Sequence, residues 1–205
     1  MKQVIKSVLD KVMRAVTLPW FLIYLGLKPL AGRRKAFGSI MQAASLWPGI
    51  SGEWFRRGVL QWITGRPLHN CCISFGCLFS DPDLELSSGV YLGPGCNIGK
   101  ARIGENTILG SGVHVPSGMH QHGTANTDTA IRDQPGRFDW VCIGKNAWIG
   151  NQAVIMADVG QGCVIGAGSV VTRPVPDFGV AAGNPARVVR NRDNTALKER
   201  NGQTR

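Results

Sequence analysis

The segment 116–140 holds the side chains of this chain that are best suited to acid–base chemistry. His120 and His122 stand two positions apart, and His114 lies just before the segment. The carboxylates of the segment are Asp128, Asp133 and Asp139. An imidazole takes up and releases protons near neutral pH, so paired histidines beside carboxylates can act as a general acid or base. A single surface histidine is more often merely solvated, but two within three residues favour a catalytic segment.

This segment interrupts a six-residue repeat, which consists of an aliphatic residue, usually a glycine, and a short polar run. The aliphatic positions are Leu92, Ile98, Ile103, Leu109 and Val115 before it, and Ile143, Ile149, Ile155, Ile165 and Val171 after it. A helix has a period of about 3.6 and an amphipathic strand a period of about 2, so neither produces this spacing. A coil of short strands does, because one aliphatic side chain per strand points inward and glycine fits at the corners. We therefore predict a mainly β protein, a parallel β-helix from which the segment 116–140 leaves as a candidate functional loop.

The net charge of +10 is unevenly distributed along the 205 residues. Residues 1–66 carry eleven Lys and Arg against two acidic residues, a net charge of +9. Residues 67–172 carry −3 and residues 173–205 carry +4. The repeat body is thus mildly acidic, which argues against nucleic acid as a partner. The basic first third is rich in tryptophan and leucine, a composition that favours an anionic membrane surface.

The six cysteines indicate neither a disulfide scaffold nor a zinc site. No C-x-x-C pair occurs, and Cys96 and Cys163 occupy the small-residue position of the repeat, where Ala101 and Ala147 also stand. We expect these thiols to pack as small core side chains in a reducing compartment, and we expect no metal.

The apolar stretch 16–30 is interrupted by Pro19, Gly26 and Lys28. A helix that spans a bilayer needs about 20 apolar residues, so we expect this stretch not to cross a membrane as an ordinary helix. Lys and Arg flank it on both sides, which predicts an interfacial or re-entrant helix at the cytoplasmic leaflet. Two alternatives stay open: an element that packs on the coil or contacts other subunits of a trimer, and a signal peptide. Two further helices are predicted, over 39–47 and 53–63.

The chain therefore divides into three parts. Residues 1–68 are predicted to form a helical, basic, membrane-interfacial region, and residues 69–190 a β-helix domain with the inserted loop 116–140. Residues 191–205 form a polar tail that is predicted to be disordered.

Three motifs of the repeat body carry a resemblance to a known family. They are W-I-G at Trp148–Gly150, I-G-A-G-S-V-V-T at Ile165–Thr172 and G-N-P-A-R at Gly183–Arg187. Over roughly residues 70–190 the chain resembles the hexapeptide-repeat acyltransferases, most closely the exopolysaccharide and colanic-acid-type O-acetyltransferases. The resemblance implies a left-handed parallel β-helix, acetyl-CoA as the acyl donor, and a homotrimer with active sites between neighbouring subunits.

The resemblance also implies that a loop histidine is the general base. An alcohol loses its proton only far above pH 7, so its attack on a thioester needs a positioned base. A base placed directly after the loop's Ser-Gly would be His120, whereas a base within a His-Gly pair would be His122. Both residues stay candidates for the catalytic base, with His122 placed slightly ahead.

The donor site is carried over from the family residue by residue. The cofactor-binding residues that the resemblance implies are Asn151, Ala167, Thr172, Arg173, Arg187 and Arg190. The arginines are suited to the phosphate groups of CoA, because guanidinium forms charge-assisted hydrogen bonds with phosphate. The step from Ile155 to Ile165 is ten residues, so one corner of the coil is shortened, and we expect donor contacts there to differ from those of relatives.

These features together predict an acetyl-CoA-dependent O-acetyltransferase that modifies a sugar hydroxyl in exopolysaccharide or other glycan biosynthesis. The expected acceptor is a glycan or a lipid-linked sugar, and the expected location is cytoplasmic, peripheral or monotopic at the inner membrane. One alternative is a soluble serine or small-sugar O-acetyltransferase. A more remote alternative is a zinc hydratase similar to the γ-class carbonic anhydrases, with His114, His120 and His122 as candidate ligands.

Overall fold

The six-residue repeat forms a β-solenoid of about six turns. The computed structural model describes residues 2–193, with side chains from residue 9 onward. The strands are β1 (Cys72–Ile73), β2 (Leu78–Phe79), β3 (Glu85–Leu86), β4 (Tyr91–Leu92), β5 (Asn97–Ile98), β6 (Ala101–Ile103), β7 (Ile108–Leu109), β8 (His114–Val115), β9 (Val141–Ile143), β10 (Trp148–Ile149), β11 (Val154–Ile155), β12 (Val164–Ile165), β13 (Val170–Val171), β14 (Gly179–Gly183) and β15 (Ala186–Asn191).

The strands stack into three sheets that form the sides of the coil. The first sheet has the order β1-β4-β7-β10-β12-β14-β15, the second β13-β11-β8-β5-β2, and the third β3-β6-β9. Parallel bridges at Val159 and Val175 continue the third sheet beyond β9. Strand β15 alone runs antiparallel to its neighbour β14 and closes the first sheet as a hairpin.

Aliphatic side chains fill the interior of the coil. Most two-residue strands place their first side chain at the surface and their second inside. Leu92, Leu109 and Ile149 of the first sheet, with Ile98 and Ile155 of the second, are fully buried. Burial of one such side chain contributes about 1.5–3 kcal/mol, so a stack of them stabilises the coil turn by turn. The predicted mainly β fold, a parallel β-helix with a helical N-terminal segment, is confirmed.

The irregular step from Ile155 to Ile165 has a simple structural cause. Val159 lies between them, is 2% exposed, and bridges to Ile143 in the third sheet. The ten-residue step thus consists of a short step of four residues, from Ile155 in the second sheet to Val159 in the third. A regular step of six residues then leads from Val159 to Ile165. Val175 repeats the short corner one turn later. The same corner, between the second and third sheets, is where the segment 116–140 leaves the coil.

Glycine at the other corners allows successive turns to stack closely. A Cβ atom on Gly150 would lie 2.5 Å from the Ala167 nitrogen and 2.8 Å from the Ala167 Cα. Both atoms belong to the backbone of the next turn, so no side-chain rotation relieves the clash.

We expect Gly150→Ala to destabilise the solenoid by about 1–3 kcal/mol, because the added methyl group forces two turns apart. The measurement is the apparent melting temperature, which should fall by several degrees. The matched control is Gly38→Ala, since a Cβ there meets only the Phe79 carbonyl oxygen at 4.0 Å. Gly38 lies in a helix, where alanine is preferred to glycine, so this variant should be at least as stable as the parent. Equal melting temperatures for Gly150→Ala and the parent would contradict the close stacking.

Three helices cover the N-terminal end of the coil: α1 (Lys2–Ala31), α2 (Arg33–Ser45) and α3 (Gly49–Thr64). Helix α2 packs on β2 and α3 packs on β1. The predicted second and third helices are present and begin several residues earlier than the sequence indicated. Helix α1 continues through Pro19 and Pro29. None of the helices within residues 2–193 is long and apolar enough to cross a membrane.

A buried arginine fastens the helical cap to the coil. Arg56 of α3 is fully buried, and its Nη1 donates a hydrogen bond to the Trp47 carbonyl at 2.6 Å. Its Nε donates a hydrogen bond to the Ile73 carbonyl of β1 at 2.8 Å. A buried cation requires hydrogen-bond acceptors, and here one of them is a backbone carbonyl of β1. This hydrogen bond therefore joins the helical cap to the first turn of the coil.

All six cysteines are free. Burial raises the pKa of the Cys71 and Cys163 thiols, which keeps them protonated and unreactive. Of the tail predicted to be disordered, residues 194–205 lie outside the described residues.

Candidate functional site

The neck of the loop 116–140 is closed by hydrogen bonds between its two ends. The Asp139 N–H donates to the Ser117 carbonyl at 3.0 Å. Ser117 is itself buried, and its Oγ accepts a bond from the Lys100 N–H at 2.8 Å. The loop therefore leaves the corner and returns to it at one fixed point, between β8 and β9.

The distal part of the loop is organised around one buried amide. Gln134 is 9% exposed, and its Nε2 donates to the carbonyls of Asn126 and Thr129 at 2.7 and 2.8 Å. Its Oε1 accepts from the Asn126 N–H at 3.1 Å. These bonds satisfy backbone groups that a loop of this length would otherwise leave unpaired. A short 3-10 helix, Ile131–Asp133, precedes the glutamine.

A histidine, an arginine and an aspartate meet at the base of the loop. His120 Nδ1 lies 3.3 Å from Asp139 Oδ2, and Arg137 Nε donates to the same oxygen at 3.0 Å. The Arg137 N–H also donates to the His120 carbonyl at 2.8 Å. The two strands of the loop are thus held together where the imidazole stands.

This contact decides which ring nitrogen of His120 can act as a base. The hydrogen bond from Arg137, with a smaller contribution from His120, lowers the pKa of Asp139 and keeps its carboxylate ionised. Arg137 Nη2 lies 3.5 Å from the same Nδ1, but the ionised carboxylate is closer at 3.3 Å and only accepts hydrogen bonds, so it favours the neutral tautomer with the proton on Nδ1. In that tautomer the lone pair is on Nε2, which is then the nitrogen that can take up a proton.

His122 shares the open cleft with His120 but lacks an orienting partner. The cleft has a volume of about 470 Å³, and its wall includes both histidines, Thr124 and Arg137. His122 is exposed, and no other residue within 2–193 forms a hydrogen bond with its imidazole. The candidate bases therefore differ in one respect, which is the carboxylate beside His120.

The remaining acid–base residues of the segment lie apart from this contact. Asp133 is 3.5 Å from Arg132 at the surface, and the Asp128 N–H donates to Asn126 Oδ1. His114 lies on β8 in the second sheet and lines a different depression. Within residues 2–193 no group of three or more metal-ligating side chains could hold an ion.

The six candidate donor-binding residues occupy three places on the coil. Asn151 and Ala167 stand at the corner between the first and second sheets, directly after β10 and β12. Asn151 Oδ1 accepts a hydrogen bond from the Ser111 N–H at 3.0 Å, so this side chain supports the turn beneath it.

Thr172 and Arg173 follow β13 at the corner between the second and third sheets, the corner that carries the loop. Arg187 and Arg190 lie on β15, and both are exposed. Within one protomer, the loop, Thr172 and Arg173 thus lie at one corner of the coil, whereas Asn151 and Ala167 lie at the preceding corner.

Two side chains of the His120 contact were not predicted from the sequence. Asp139 was one of three carboxylates in the loop with nothing to distinguish it, and Arg137 was not among the candidates. Both belong to the extended run that leads into β9, where residues two apart lie on the same side of the chain. The two-residue spacing of Arg137 and Asp139 is the sequence feature that indicates that they lie together. On the other side of the run, Phe138 and Trp140 carry arginine contacts, with Arg34 Cζ 4.2 Å from the first ring centroid and Arg102 Cζ 4.1 Å from the second.

Comparison with known proteins identifies the repeat. Residues 143–173 match the family described as bacterial transferase hexapeptide (six repeats). A putative acetyltransferase of Staphylococcus aureus (strain MRSA252) is 48% identical over 59 residues, which make up 28% of this chain and 30% of that protein. The match thus spans less than a third of that relative's length.

Solved structures share the solenoid. A maltose O-acetyltransferase from Clostridium difficile 630 has a TM-score of 0.56 at 22% identity and covers 78% of this chain and 86% of its own. A mutant of AntD, an N-acyltransferase from Bacillus cereus in complex with dTDP-4-amino-4,6-dideoxyglucose and coenzyme A, has a TM-score of 0.54 at 16% identity and covers 67% and 78%. At these identities the similarity concerns the fold. Residues 143–173 therefore carry the hexapeptide repeat of that family, and the solenoid as a whole has the left-handed parallel β-helix fold of these acyltransferase structures.

Proposed function

We propose that this protein is an acetyl-CoA-dependent O-acetyltransferase that modifies a sugar hydroxyl in exopolysaccharide or other glycan biosynthesis. The observation that carries the proposal is the contact between His120 Nδ1 and Asp139 Oδ2 beside an open cleft on a hexapeptide coil. It supplies the oriented base that acyl transfer to an alcohol requires.

The proposed reaction proceeds in two steps. His120 Nε2 removes the hydroxyl proton of the acceptor while its oxygen forms a bond to the thioester carbonyl carbon. The tetrahedral intermediate then collapses, the carbon–sulfur bond breaks, and CoA leaves as the thiol with the proton that the imidazolium returns. Asp139 acts as a positioning residue, because its carboxylate fixes the orientation and the tautomer of the ring.

The choice of donor is supported by the fold and by the charge of the C-terminal hairpin. AntD, which shares the solenoid, is described in complex with coenzyme A and a sugar nucleotide. In this chain Arg187 and Arg190 are exposed on β15 with no carboxylate within ion-pair distance among residues 2–193. We propose that they bind the phosphate groups of CoA.

Arg187→Ala and Arg190→Ala are expected to raise the KM for acetyl-CoA by about tenfold and to leave kcat nearly unchanged. The phosphates lie far from the reacting carbon, so these contacts would stabilise ground state and transition state equally. Steady-state kinetics with varied donor measures the effect. The matched control is Arg132→Ala, an exposed arginine of the loop whose only ion pair within residues 9–193 is with Asp133. An increase in acceptor KM instead would reassign the hairpin to the acceptor.

We further propose a homotrimer with active sites between protomers. Tyr91, Ile108 and Trp148 form an outward stripe on the first sheet and are 39%, 46% and 57% exposed. Such a stripe of large apolar side chains is typical of a protein interface. Within one protomer, the corner with Asn151 and Ala167 is separate from the corner that carries the loop. A second protomer packed along the first sheet would complete the active site by bringing these two corners, one from each protomer, together.

The function is tested by thiol release from acetyl-CoA over a panel of polysaccharide fragments, lipid-linked glycans, free sugars and serine. Release that depends on a glycan supports the proposal. Release with serine or a small sugar alone would assign the chain to the soluble acetyltransferases. No release with any alcohol acceptor would exclude O-acetyl transfer.

A further inference from the structure

Helix α1 packs on the cap with only one of its faces. Thr17 and Tyr24 are buried, and Trp20 and Leu27 are half-buried against the core. The Trp20 ring contacts Phe55 of α3 edge-on, with centroids 5.5 Å apart. The packed positions recur every three or four residues, as expected for a helix with a single buried stripe.

The opposite face of α1 is apolar and exposed. Its large side chains are Val12, Val16, Leu18, Leu22, Ile23, Leu25 and Leu30, with exposures between 38% and 84%. A surface helix ordinarily presents charged and polar side chains to water, so an apolar outer face indicates that something else covers it.

Asp10 of α1 pairs with Arg57, and the charged side chains around this face that lack an ion-pair partner within residues 9–193 are all positive. Lys11 and Arg14 stand near one end, and Lys28 and Lys35 near the other. These four have no carboxylate partner among residues 2–193. Between residues 11 and 52 the sequence has no Asp or Glu. A second copy of α1 packed on this face would place these cations against one another, whereas anionic lipid headgroups would neutralise them.

We infer that the outer face of α1 docks on an anionic bilayer surface, with the helix lying in the plane of the headgroups. The apolar side chains enter the acyl boundary, and the lysines remain at the level of the phosphates. This inference concerns an interfacial helix and requires no segment that spans the membrane.

The cap connects this surface to the catalytic loop. Helix α2 begins two residues after α1 ends, and Arg34 in its first turn forms a 2.8 Å ion pair with the buried carboxylate of Asp81. The same guanidinium lies 4.2 Å from the ring centroid of Phe138, next to Asp139. Docking of α1 would therefore hold the loop near the bilayer, which favours an acceptor glycan carried on a lipid. This last step rests on the proposed function, whereas the docking does not.

The test is flotation of the full chain with vesicles of phosphatidylcholine alone or mixed with phosphatidylglycerol. We expect binding to the anionic vesicles and at least tenfold weaker partitioning for the Leu22→Glu/Ile23→Glu variant. The matched control is Val188→Glu/Val189→Glu, which introduces the same charge at side chains that are 48% and 65% exposed on β15. This control should bind within about twofold of the parent.

Three outcomes would overturn the docking surface. The first is that the parent fails to float with anionic vesicles. The second is that the α1 variant floats as well as the parent. The third is that the parent binds no vesicles and the α1 variant has a smaller mass than the parent in lipid-free sedimentation. The last result would show that a second copy of the chain covers the face. Circular dichroism and the melting temperature report whether each variant is folded. Vesicle binding without acetyl transfer would refute the proposed function alone.

Discussion

Replacing His120 by alanine is expected to lower kcat for acetyl transfer by roughly 10²–10⁴, the usual contribution of a general base. The KM for acetyl-CoA should stay nearly constant, because the imidazole acts on the acceptor hydroxyl and not on the nucleotide. Thiol release under donor saturation measures the effect.

The control for this experiment is His122→Ala, which removes an imidazole from the same cleft. Among the described residues no carboxylate orients His122, so its loss should cost less than about tenfold in kcat. A reversed order of the two effects would assign the base to His122. If both variants retain activity within about threefold of the parent, the loop is not the catalytic site.

Replacing Asp139 by asparagine should produce the second large effect, a fall in kcat of about 10–10³. Asparagine has nearly the same shape, but its amide no longer requires the proton on His120 Nδ1, so a fraction of the imidazole adopts the wrong tautomer. The effect should be smaller than for a buried dyad, since the Asp139 side chain is 36% exposed.

The pH dependence and the melting temperature together separate this positioning role from a merely structural one. Because Arg137 lowers the pKa of Asp139, the carboxylate stays ionised as the pH falls and protonates only below the ordinary range of an aspartate. The parent should therefore keep the contribution of Asp139 to kcat throughout that range, and Asp139→Asn should be slower than the parent by the same factor across it at an unchanged melting temperature. A fall in kcat that is matched by a lower melting temperature would reduce Asp139 to a structural residue.

Asp133→Asn is the matched control for this substitution. Asp133 belongs to the same loop, is 60% exposed and, in the described part of the chain, pairs only with Arg132. Its replacement should change neither kcat nor the pH profile.

The repeat by itself determined the coil. A period of six admits neither a helix nor an amphipathic strand, and one aliphatic residue per unit, such as Ile98 or Ile149, defines the interior. The same local pattern located the loop, because 116–140 is where the period stops. Helix ends were less predictable: α2 begins at Arg33 and α3 at Gly49, several residues before the starts at 39 and 53 that the sequence indicated.

The tertiary structure alone decided which carboxylate meets a histidine. His120 and Asp139 are 19 residues apart, and their contact depends on closure of the loop neck through Ser117. It also decided that the short corner at Val159 and the loop share one edge of the coil, and that one face of α1 has no partner within the described chain. Sequence patterns of short period report which side chains point inward, because burial follows the local geometry of the backbone. Contacts across a loop or between elements depend on where the chain returns, and no local period records that.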